Sequence, residues 1–234
     1  MGLSSRLTLA RFAASAVTLH SVGLVIDPFV PDESVSAVWS RVCGIALRAA
    51  GLPLRVDDPD GLLARPARVI VANHVNMVDG YTLRAAIPGP MTALHHERWL
   101  RVPVYGRHVR RMGAVAFDNE DPKAGVRALL AARTALRGGR SVLVFPEGKR
   151  SEDGALGPFE AGACVVARAA GVDVTVVAQL DAVARMHPPT GRWSTGPQRI
   201  RVLGSISADD LRRRGARWAT DEARTRIAHA LGAG

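Results

Sequence analysis

The chain has 234 residues, of which 47% are hydrophobic and 22% charged. These values suit one globular domain and exclude a wholly disordered chain, a collagen-like repeat and a membrane protein with many spans. The formal net charge of +10 favours anionic partners such as lipid headgroups, nucleic acids or phosphorylated substrates, and does not choose among them.

The first 55 residues are predicted to form two helices. Residues 12–26 carry no formal charge, and residues 35–54 place apolar side chains at helical spacing. The first run is shorter than the roughly 20 residues of a membrane-spanning helix. His20 interrupts it and Asp27 ends it, which argues against a signal peptide. We expect residues 1–55 either to lie on an anionic membrane surface, with their arginines at the headgroups, or to pack on the rest of the protein.

Residues 56–234 are predicted to form one α/β domain, with a largely parallel central sheet flanked by helices. Short β-branched runs predict strands at residues 68–72, 141–145, 172–178 and 199–203, with a weaker candidate at 112–117. Helical spacing predicts helices over residues 123–137 and 160–170, and one helix or two over 208–231. In such sheets, ligands collect at the carboxyl ends of the strands.

A histidine and an aspartate follow the first of these strands. If the chain turns between His74 and Asp79, the carboxylate can reach Nδ1 of the imidazole. Nε2 is then free to take a proton from a bound hydroxyl. The alternative is a histidine that caps a helix, and this pair alone does not choose between the two.

A second polar group follows the strand predicted at residues 141–145. It combines a carboxylate, an unhindered backbone and two cations in one loop: Glu147, Gly148, Lys149 and Arg150. Gly148 lets a ligand approach the main chain closely, and Arg150 can bind an anionic headgroup in a bidentate manner. The alternative for this loop alone is a charged surface turn.

Together the two motifs resemble those of the glycerolipid acyltransferase family, and most nearly its 1-acyl-sn-glycerol-3-phosphate acyltransferases. They read Asn-His-x4-Asp at residues 73–79 and Phe-Pro-Glu-Gly-x-Arg-Ser at residues 145–151. The resemblance covers residues 67–178, and the N-terminal helix pair is similar to the family's membrane-docking helices. It implies a glycerolipid acyltransferase-like fold and an enzyme that moves a fatty acyl group to the hydroxyl of a lysophospholipid. It also implies a peripheral or monotopic location at the cytoplasmic face of the cell membrane.

The resemblance further implies the partners and the roles of individual residues. The acyl donor is a thioester of CoA or of acyl carrier protein, with no other cofactor and no metal. His74 is the general base, Asp79 orients it, and the acceptor oxygen attacks the thioester directly, in agreement with a sequence that has no Gly-x-Ser-x-Gly elbow. We also expect backbone N–H groups near Gly148 to hold the developing oxyanion. The residues implied at the substrate are Asn73, Glu147, Gly148, Lys149, Ser151 and Arg150, the last of them on the acceptor phosphate.

The family's second motif is altered in this chain, which leaves the acceptor open. Gly113 falls at its spacing and is expected at the substrate, but Asn119 stands where the family has an arginine that binds the acceptor phosphate. His96 stands where a lysine is expected. One alternative is that Lys149 and Arg150 replace the arginine and that the acceptor is lysophosphatidic acid, giving phosphatidic acid. The other is an acceptor without a terminal phosphate, such as a lyso-ornithine-lipid.

Other classes of protein fit the sequence less well. A non-catalytic membrane lipid-binding protein would have no use for an intact pair of His74 and Asp79. A nucleic-acid binder is disfavoured because aromatic residues make up only 5% of the chain and no arginine-rich stretch is interleaved with them. A metal site is disfavoured because the His-His-Glu run at residues 95–97 projects diverging side chains. Cys43 and Cys164 match no zinc spacing, so we expect two buried thiols.

Overall fold

The computed structural model describes residues 2–65, 67–117 and 122–232. The α-helices in this part of the chain are α1 (Leu3–Ile26), α2 (Asp32–Ala49), α3 (Asp79–Ala86), α4 (Glu97–Leu100), α5 (Pro103–Arg111), α6 (Pro122–Arg137), α7 (Gly162–Ala170), α8 (Ala182–Arg185), α9 (Ala208–Arg214) and α10 (Ala216–Leu231). The strands are β1 (Leu54–Asp57), β2 (Val69–Ala72), β3 (Met91–His96), β4 (Val115–Phe117), β5 (Ser141–Val144), β6 (Val174–Gln179), β7 (Met186–His187), β8 (Arg192–Trp193) and β9 (Gln198–Ile206).

Seven of these strands form one sheet, and β7 pairs with β8 in a separate hairpin. The order in the large sheet is β1-β9-β6-β2-β5-β3-β4, and all of its described neighbours are parallel except β6 and β9. The predicted α/β fold with a largely parallel sheet is therefore confirmed. Because β2 and β5 are neighbours, with Val71 opposite Val144, the two motifs that follow them leave the same edge of the sheet.

Both faces of the sheet are covered, which explains why its central strands are unbroken apolar runs in the sequence. Val69 and Val71 of β2 belong to an apolar cluster with α6, α7 and α10, whereas Ile70 points to the opposite face and packs with α3. This alternation follows from the two-residue period of a strand. Cys43 and Cys164 are both buried free thiols, as predicted.

Two differences from the sequence prediction, and the choice between one and two C-terminal helices that it left open, have local physical causes. The second helix ends at Ala49 rather than at residue 54, because Gly51 adopts a φ of +78° and residues 54–57 join the sheet as β1. The C-terminal segment forms two helices, because Gly215, with a φ of +89°, separates α9 from α10. Strand β3 is absent from the prediction because its sequence, MTALHH, contains only one β-branched residue and ends in two histidines.

The N-terminal helices pack on the α/β domain, and the expected contact with a membrane surface stays a prediction. The ring of Phe12 in α1 lies against those of Tyr81 and Trp193, at centroid distances of 5.5 and 5.4 Å. Ser40 of α2 donates a hydrogen bond to the main-chain oxygen of Ala85 at 3.0 Å. Among the described residues, no helix combines the length and the apolarity needed to cross a membrane. Large apolar side chains remain exposed on these helices and on the turn between them: Leu3, Leu7, Val17, Val22, Val25, Phe29 and Ile45.

Gly106→Ala is expected to lower the free energy of unfolding by about 2 kcal/mol. A Cβ at this position would lie 2.0 Å from the main-chain oxygen of Leu100, and neither group can rotate away. The matched control is Gly125→Ala in α6, where a Cβ meets nothing within 4 Å. Helix propensity there should raise stability by up to about 1 kcal/mol. Chemical denaturation measures both changes, and a Gly106→Ala protein as stable as the wild type would contradict this explanation of the close approach.

Candidate active site

The two sequence motifs meet at the carboxyl ends of β2 and β5. His74 follows β2, and Glu147 follows β5. The main-chain N–H of His74 donates to Oε1 of Glu147 at 2.7 Å, across a separation of 73 residues in the chain. The pairing of the strands therefore turns two distant loops into one site.

His74 and Asp79 form the hydrogen bond that the sequence predicts. Nδ1 of the imidazole lies 2.9 Å from Oδ2 of Asp79, a carboxylate only 2% exposed. The same oxygen accepts the main-chain N–H groups of Val75 at 2.6 Å and Asn76 at 2.8 Å. Asp79 is the first residue of α3, whose N-terminal partial charge also favours a carboxylate. The helix-capping alternative for the histidine is wrong, because no side chain caps α3.

The ring of His74 is held in one orientation with one nitrogen available. An ionised carboxylate only accepts hydrogen bonds, so Nδ1 carries the proton that bonds to Asp79 and Nε2 has a lone pair in the neutral ring. Nε2 has no hydrogen-bond partner within the described part of the chain, and the side chain is 20% exposed. The ring of Phe145 stacks on the imidazole at a centroid distance of 4.0 Å and an angle of 14°. A fixed ring with an accessible Nε2 is the geometry that a general base needs.

The main chain of His74 is held on both sides by the loop that follows β5. Its N–H bonds to Glu147, and its carbonyl oxygen accepts the main-chain N–H of Ser151 at 2.9 Å. The second oxygen of Glu147 accepts the N–H of Gly157 at 3.0 Å. Burial raises the pKa of the Glu147 carboxyl above its ordinary value, and the bonds from His74 and Gly157 oppose that shift. Both oxygens of Glu147 thus face main-chain donors, and its predicted contact with the acceptor stays a prediction.

Asn73 lies next to the site but its side chain is turned to the neighbouring strand. Its Oδ1 accepts the N–H of Gln179 at 2.8 Å, and the Gln179 side chain donates back to the carbonyl of Asn73 at 2.8 Å. Asn73 is 2% exposed. These bonds tie β2 to β6 below His74, which gives Asn73 a structural role, whereas its contact with substrate stays a prediction.

The glycine and the two cations after Glu147 are in different situations. Gly148 adopts a φ of +70°, and its N–H donates to the carbonyl of Phe145 at 3.0 Å. The turn therefore uses the N–H of Gly148 itself, and the expectation that N–H groups near Gly148 hold the oxyanion stays a prediction. Lys149 is exposed and lies 3.4 Å from Glu152. Arg150 is half-buried and forms no ion pair with any described residue, so its guanidinium is the cation of this loop that is available to an anion.

Of the second motif, the structure describes Gly113 but not Asn119, which lies outside the described residues. Gly113 has a φ of +78° and precedes β4, and its carbonyl accepts the hydroxyl of Thr92 at 2.6 Å. Thr92 is level with Val142 and, through it, with Val69 at the beginning of β2. Gly113 is therefore three strands away from β2 and near the opposite edge of the sheet from His74. This position gives the glycine a turn-forming role, and its predicted contact with the substrate stays a prediction.

The residues of the His-His-Glu run contact protein groups rather than one another. Nδ1 of His95 lies 3.2 Å from the Tyr105 hydroxyl, and burial lowers the pKa of His95 to about 4. Nδ1 of His96 accepts the N–H of Arg98 at 3.3 Å, and Glu97 forms an ion pair with an arginine one turn later. No group of three or more His, Cys, Asp or Glu residues suited to a metal ion occurs in the described ranges.

Sequence reasoning missed two contributors to the site, Phe145 and Gly157. Phe145 stands in the motif itself, and its position as the residue after a buried strand could have suggested a side chain at the edge of the site. Gly157 contributes only a main-chain N–H, which no residue type reveals. The contacts that hold His74 in place are therefore apparent only from the folded structure.

Comparison with known proteins gives one family. The profile of a family described as Acyltransferase matches residues 54–179. A chloroplastic 1-acyl-sn-glycerol-3-phosphate acyltransferase of Brassica napus is 32% identical over 76% of this chain and 52% of its own length. A 1-acyl-sn-glycerol-3-phosphate acyltransferase of Pseudomonas aeruginosa is 26% identical over 82% of this chain and 75% of its own length. The chain thus spans about half the length of the plant relative.

A solved structure gives the same fold. The crystal structure of the 1-acyl-sn-glycerophosphate (LPA) acyltransferase PlsC from Thermotoga maritima superposes with a TM-score of 0.80. The superposition covers 99% of this chain and 97% of that chain, at 20% sequence identity. It therefore includes the N-terminal helices and α10, which lie outside the residues that the family profile matches.

Proposed function

This chain belongs to the acyltransferase family, and on that premise we propose that it moves a fatty acyl group from a thioester donor to the free hydroxyl of a lysophospholipid. The acceptor we propose is 1-acyl-sn-glycerol-3-phosphate, and the product is phosphatidic acid. The observation that carries the proposal is the fixed imidazole of His74, with Nδ1 bonded to Asp79 and Nε2 accessible. The names of the relatives from Brassica napus and Pseudomonas aeruginosa support the choice of acceptor.

The proposed reaction is a direct transfer in which His74 handles one proton. The acceptor hydroxyl gives its proton to Nε2 while its oxygen bonds to the thioester carbonyl carbon, whose oxygen takes the electron pair. Asp79 stabilises the imidazolium that forms. When the carbonyl is restored, the carbon–sulfur bond breaks and the departing thiolate takes the proton from Nε2. The donor is acyl-CoA or acyl carrier protein, and the scheme uses no further cofactor.

Arg150 is the residue we propose for the acceptor phosphate. It shares the loop of Glu147, and its guanidinium pairs with no carboxylate of the described residues. Guanidinium and phosphate match in charge and in bidentate geometry. Asn119, which replaces the arginine of the second motif, is the observation that keeps an acceptor without a terminal phosphate as the second candidate.

We also propose that the enzyme works at the cytoplasmic face of an anionic membrane. The exposed apolar side chains of α1, α2 and the turn between them, among which Phe29 is 83% exposed, would enter the lipid. Arg6, Arg11, Arg41 and Arg48 lie on the same two helices and would meet the headgroups. An acceptor that resides in the membrane would then reach the site without leaving the membrane.

Arg150→Ala is expected to raise the KM for lysophosphatidic acid about tenfold while kcat changes little, because a charge-assisted contact with bound phosphate is lost. The matched control is Arg168→Ala, which removes an exposed arginine of α7 and should leave both constants unchanged. Steady-state assays with lysophosphatidic acid and lyso-ornithine-lipid in parallel, each with acyl-CoA and acyl carrier protein donors, measure both effects. Transfer to lyso-ornithine-lipid alone would overturn the proposed acceptor, and transfer to neither would overturn the proposed activity.

A further inference from the structure

The main chain of His74 is hydrogen-bonded to a loop whose far end is bonded to the C-terminal helix. Glu147 receives the N–H of His74 on one oxygen and the N–H of Gly157 on the other. The side chain of Arg224 donates to this loop. Its Nε–H group bonds to the carbonyl oxygen of Gly157 at 2.9 Å, and its Nη2 lies 3.4 Å from the carbonyl oxygen of Leu156. A continuous series of hydrogen bonds thus runs from α10 to the main chain of the proposed base.

The helix that carries Arg224 is a firm support. One side of α10 is buried in the apolar cluster beneath the sheet, through Ala219, Ala223 and Ile227, each no more than 1% exposed. Arg224 is the residue after the buried Ala223, and its side chain extends from the helix to the loop. A group fixed to a packed element is held more precisely than one on a free loop.

The carboxylate of Glu147, at the centre of this series, cannot be replaced by an amide without the loss of a hydrogen bond. Its two oxygens both accept main-chain N–H groups, whereas an amide would present a donor to one of them. Burial raises the pKa of Glu147, so these two bonds hold its charged form in place against the cost of desolvation. The approach is also close, because a Cβ on Gly157 would lie 3.3 Å from Oε2 of Glu147.

We propose that Arg224 and Glu147 are positioning residues for His74, with α10 as the anchor and Gly157 as the link between them. Asp79 and Phe145 fix the imidazole ring, and this series fixes the backbone from which the ring extends. The consequence for catalysis rests on the proposed function, because it takes His74 as the base. It also gives Glu147 a task other than contact with the acceptor.

The test begins with Arg224→Ala and its control, Arg217→Ala. Both remove one arginine from exposed positions of α10, but Arg217 faces Asp221 of its own helix at 3.6 Å instead of the loop. We expect Arg224→Ala to lower kcat about tenfold, with the KM for lysophosphatidic acid changed less than about twofold, because misplacement of a base costs turnover rather than binding. Arg217→Ala should match the wild type in both constants. Arg224→Lys keeps the charge and one donor group, and should recover part of the loss.

Glu147→Gln gives the larger effect, an expected loss of about 100-fold in kcat with the acceptor KM little changed. Rising KM at constant kcat would overturn the proposal for Glu147, because that result identifies a ligand of the acceptor. If Arg224→Ala has the same kcat as Arg217→Ala, the proposed role of α10 as the anchor is overturned.

A measurement that needs no activity separates this proposal from the proposed function. In NMR spectra of the full chain with isotope-labelled histidine, the His74 ring signals, assigned by their loss in His74→Ala, should shift in Arg224→Ala and stay in place in Arg217→Ala. Unchanged His74 signals in all variants would overturn the positioning role. A shift in a protein that transfers no acyl group would support the positioning role while the proposed function fails.

Discussion

Replacing His74 with alanine is expected to lower kcat by about 1,000-fold, the range of a lost general base. Nε2 of this imidazole is accessible, and the other ring nitrogen, Nδ1, is hydrogen-bonded to Asp79. The substitution should leave the fold intact, because the main-chain bonds of His74 to Glu147 and Ser151 do not depend on its side chain. Initial rates at saturating donor and acceptor measure the effect.

The control for this substitution is His187→Ala. His187 lies in the β7–β8 hairpin, outside the large sheet, and its ring contacts the hydroxyl of Thr190 at 3.0 Å. Its loss should change kcat by less than about twofold, as for a surface change away from the site. A folded His74→Ala enzyme that works within tenfold of the wild-type rate would exclude the imidazole as the base.

Asp79→Asn is expected to be nearly as damaging, with a loss of at least about 100-fold in kcat. The amide keeps the shape of the side chain, and its oxygen can still accept the N–H groups of Val75 and Asn76. The same oxygen faces Nδ1 of His74, because Oδ2 of Asp79 accepts all three hydrogen bonds, so the ring can keep its orientation. The amide carries no negative charge, and it therefore does not stabilise the imidazolium that forms when Nε2 takes the proton.

Asp181→Asn is a matched control, because it makes the same change at another buried carboxylate. Asp181 bonds to Arg199 at 2.7 Å and has no contact with His74. It should lose stability rather than turnover. Denaturation curves and steady-state kinetics distinguish a loss of stability from a loss of turnover. If both variants lose stability alone, Asp79 does not act on the imidazole of His74.

The chemistry of the site was open to prediction because it rests on local signals. The β-branched runs before His74 and Glu147 fix two strands, and parallel neighbours deliver both motifs to one edge. The short gap between His74 and Asp79 leaves a turn as the way to join them, and the structure has that turn. Residue type and spacing allowed the pair of His74 and Asp79, and the resemblance of the two motifs to a known family favoured it over a helix cap.

The remainder depends on contacts between distant parts of the chain. Arg224 lies 67 residues from Gly157, and the bond of Ser151 to His74 uses only main-chain atoms, which every residue type possesses. Gly113 matched a motif spacing but lies near the opposite edge of the sheet, because spacing does not reveal where a turn stands relative to the site. Asn73 was expected at the substrate, and in the structure its side chain forms a hydrogen bond that links the end of β2 to β6.

Product formation by the purified 234-residue protein tests most directly whether His74 drives the proposed acyl transfer. Labelled long-chain acyl-CoA and lysophosphatidic acid would be incubated with the wild type and with His74→Ala, and phosphatidic acid would be quantified. We expect steady formation of labelled phosphatidic acid by the wild type and almost none by the variant. Equal rates for the two proteins, or no phosphatidic acid from a folded wild type with either acyl-CoA or acyl carrier protein as donor, would contradict it.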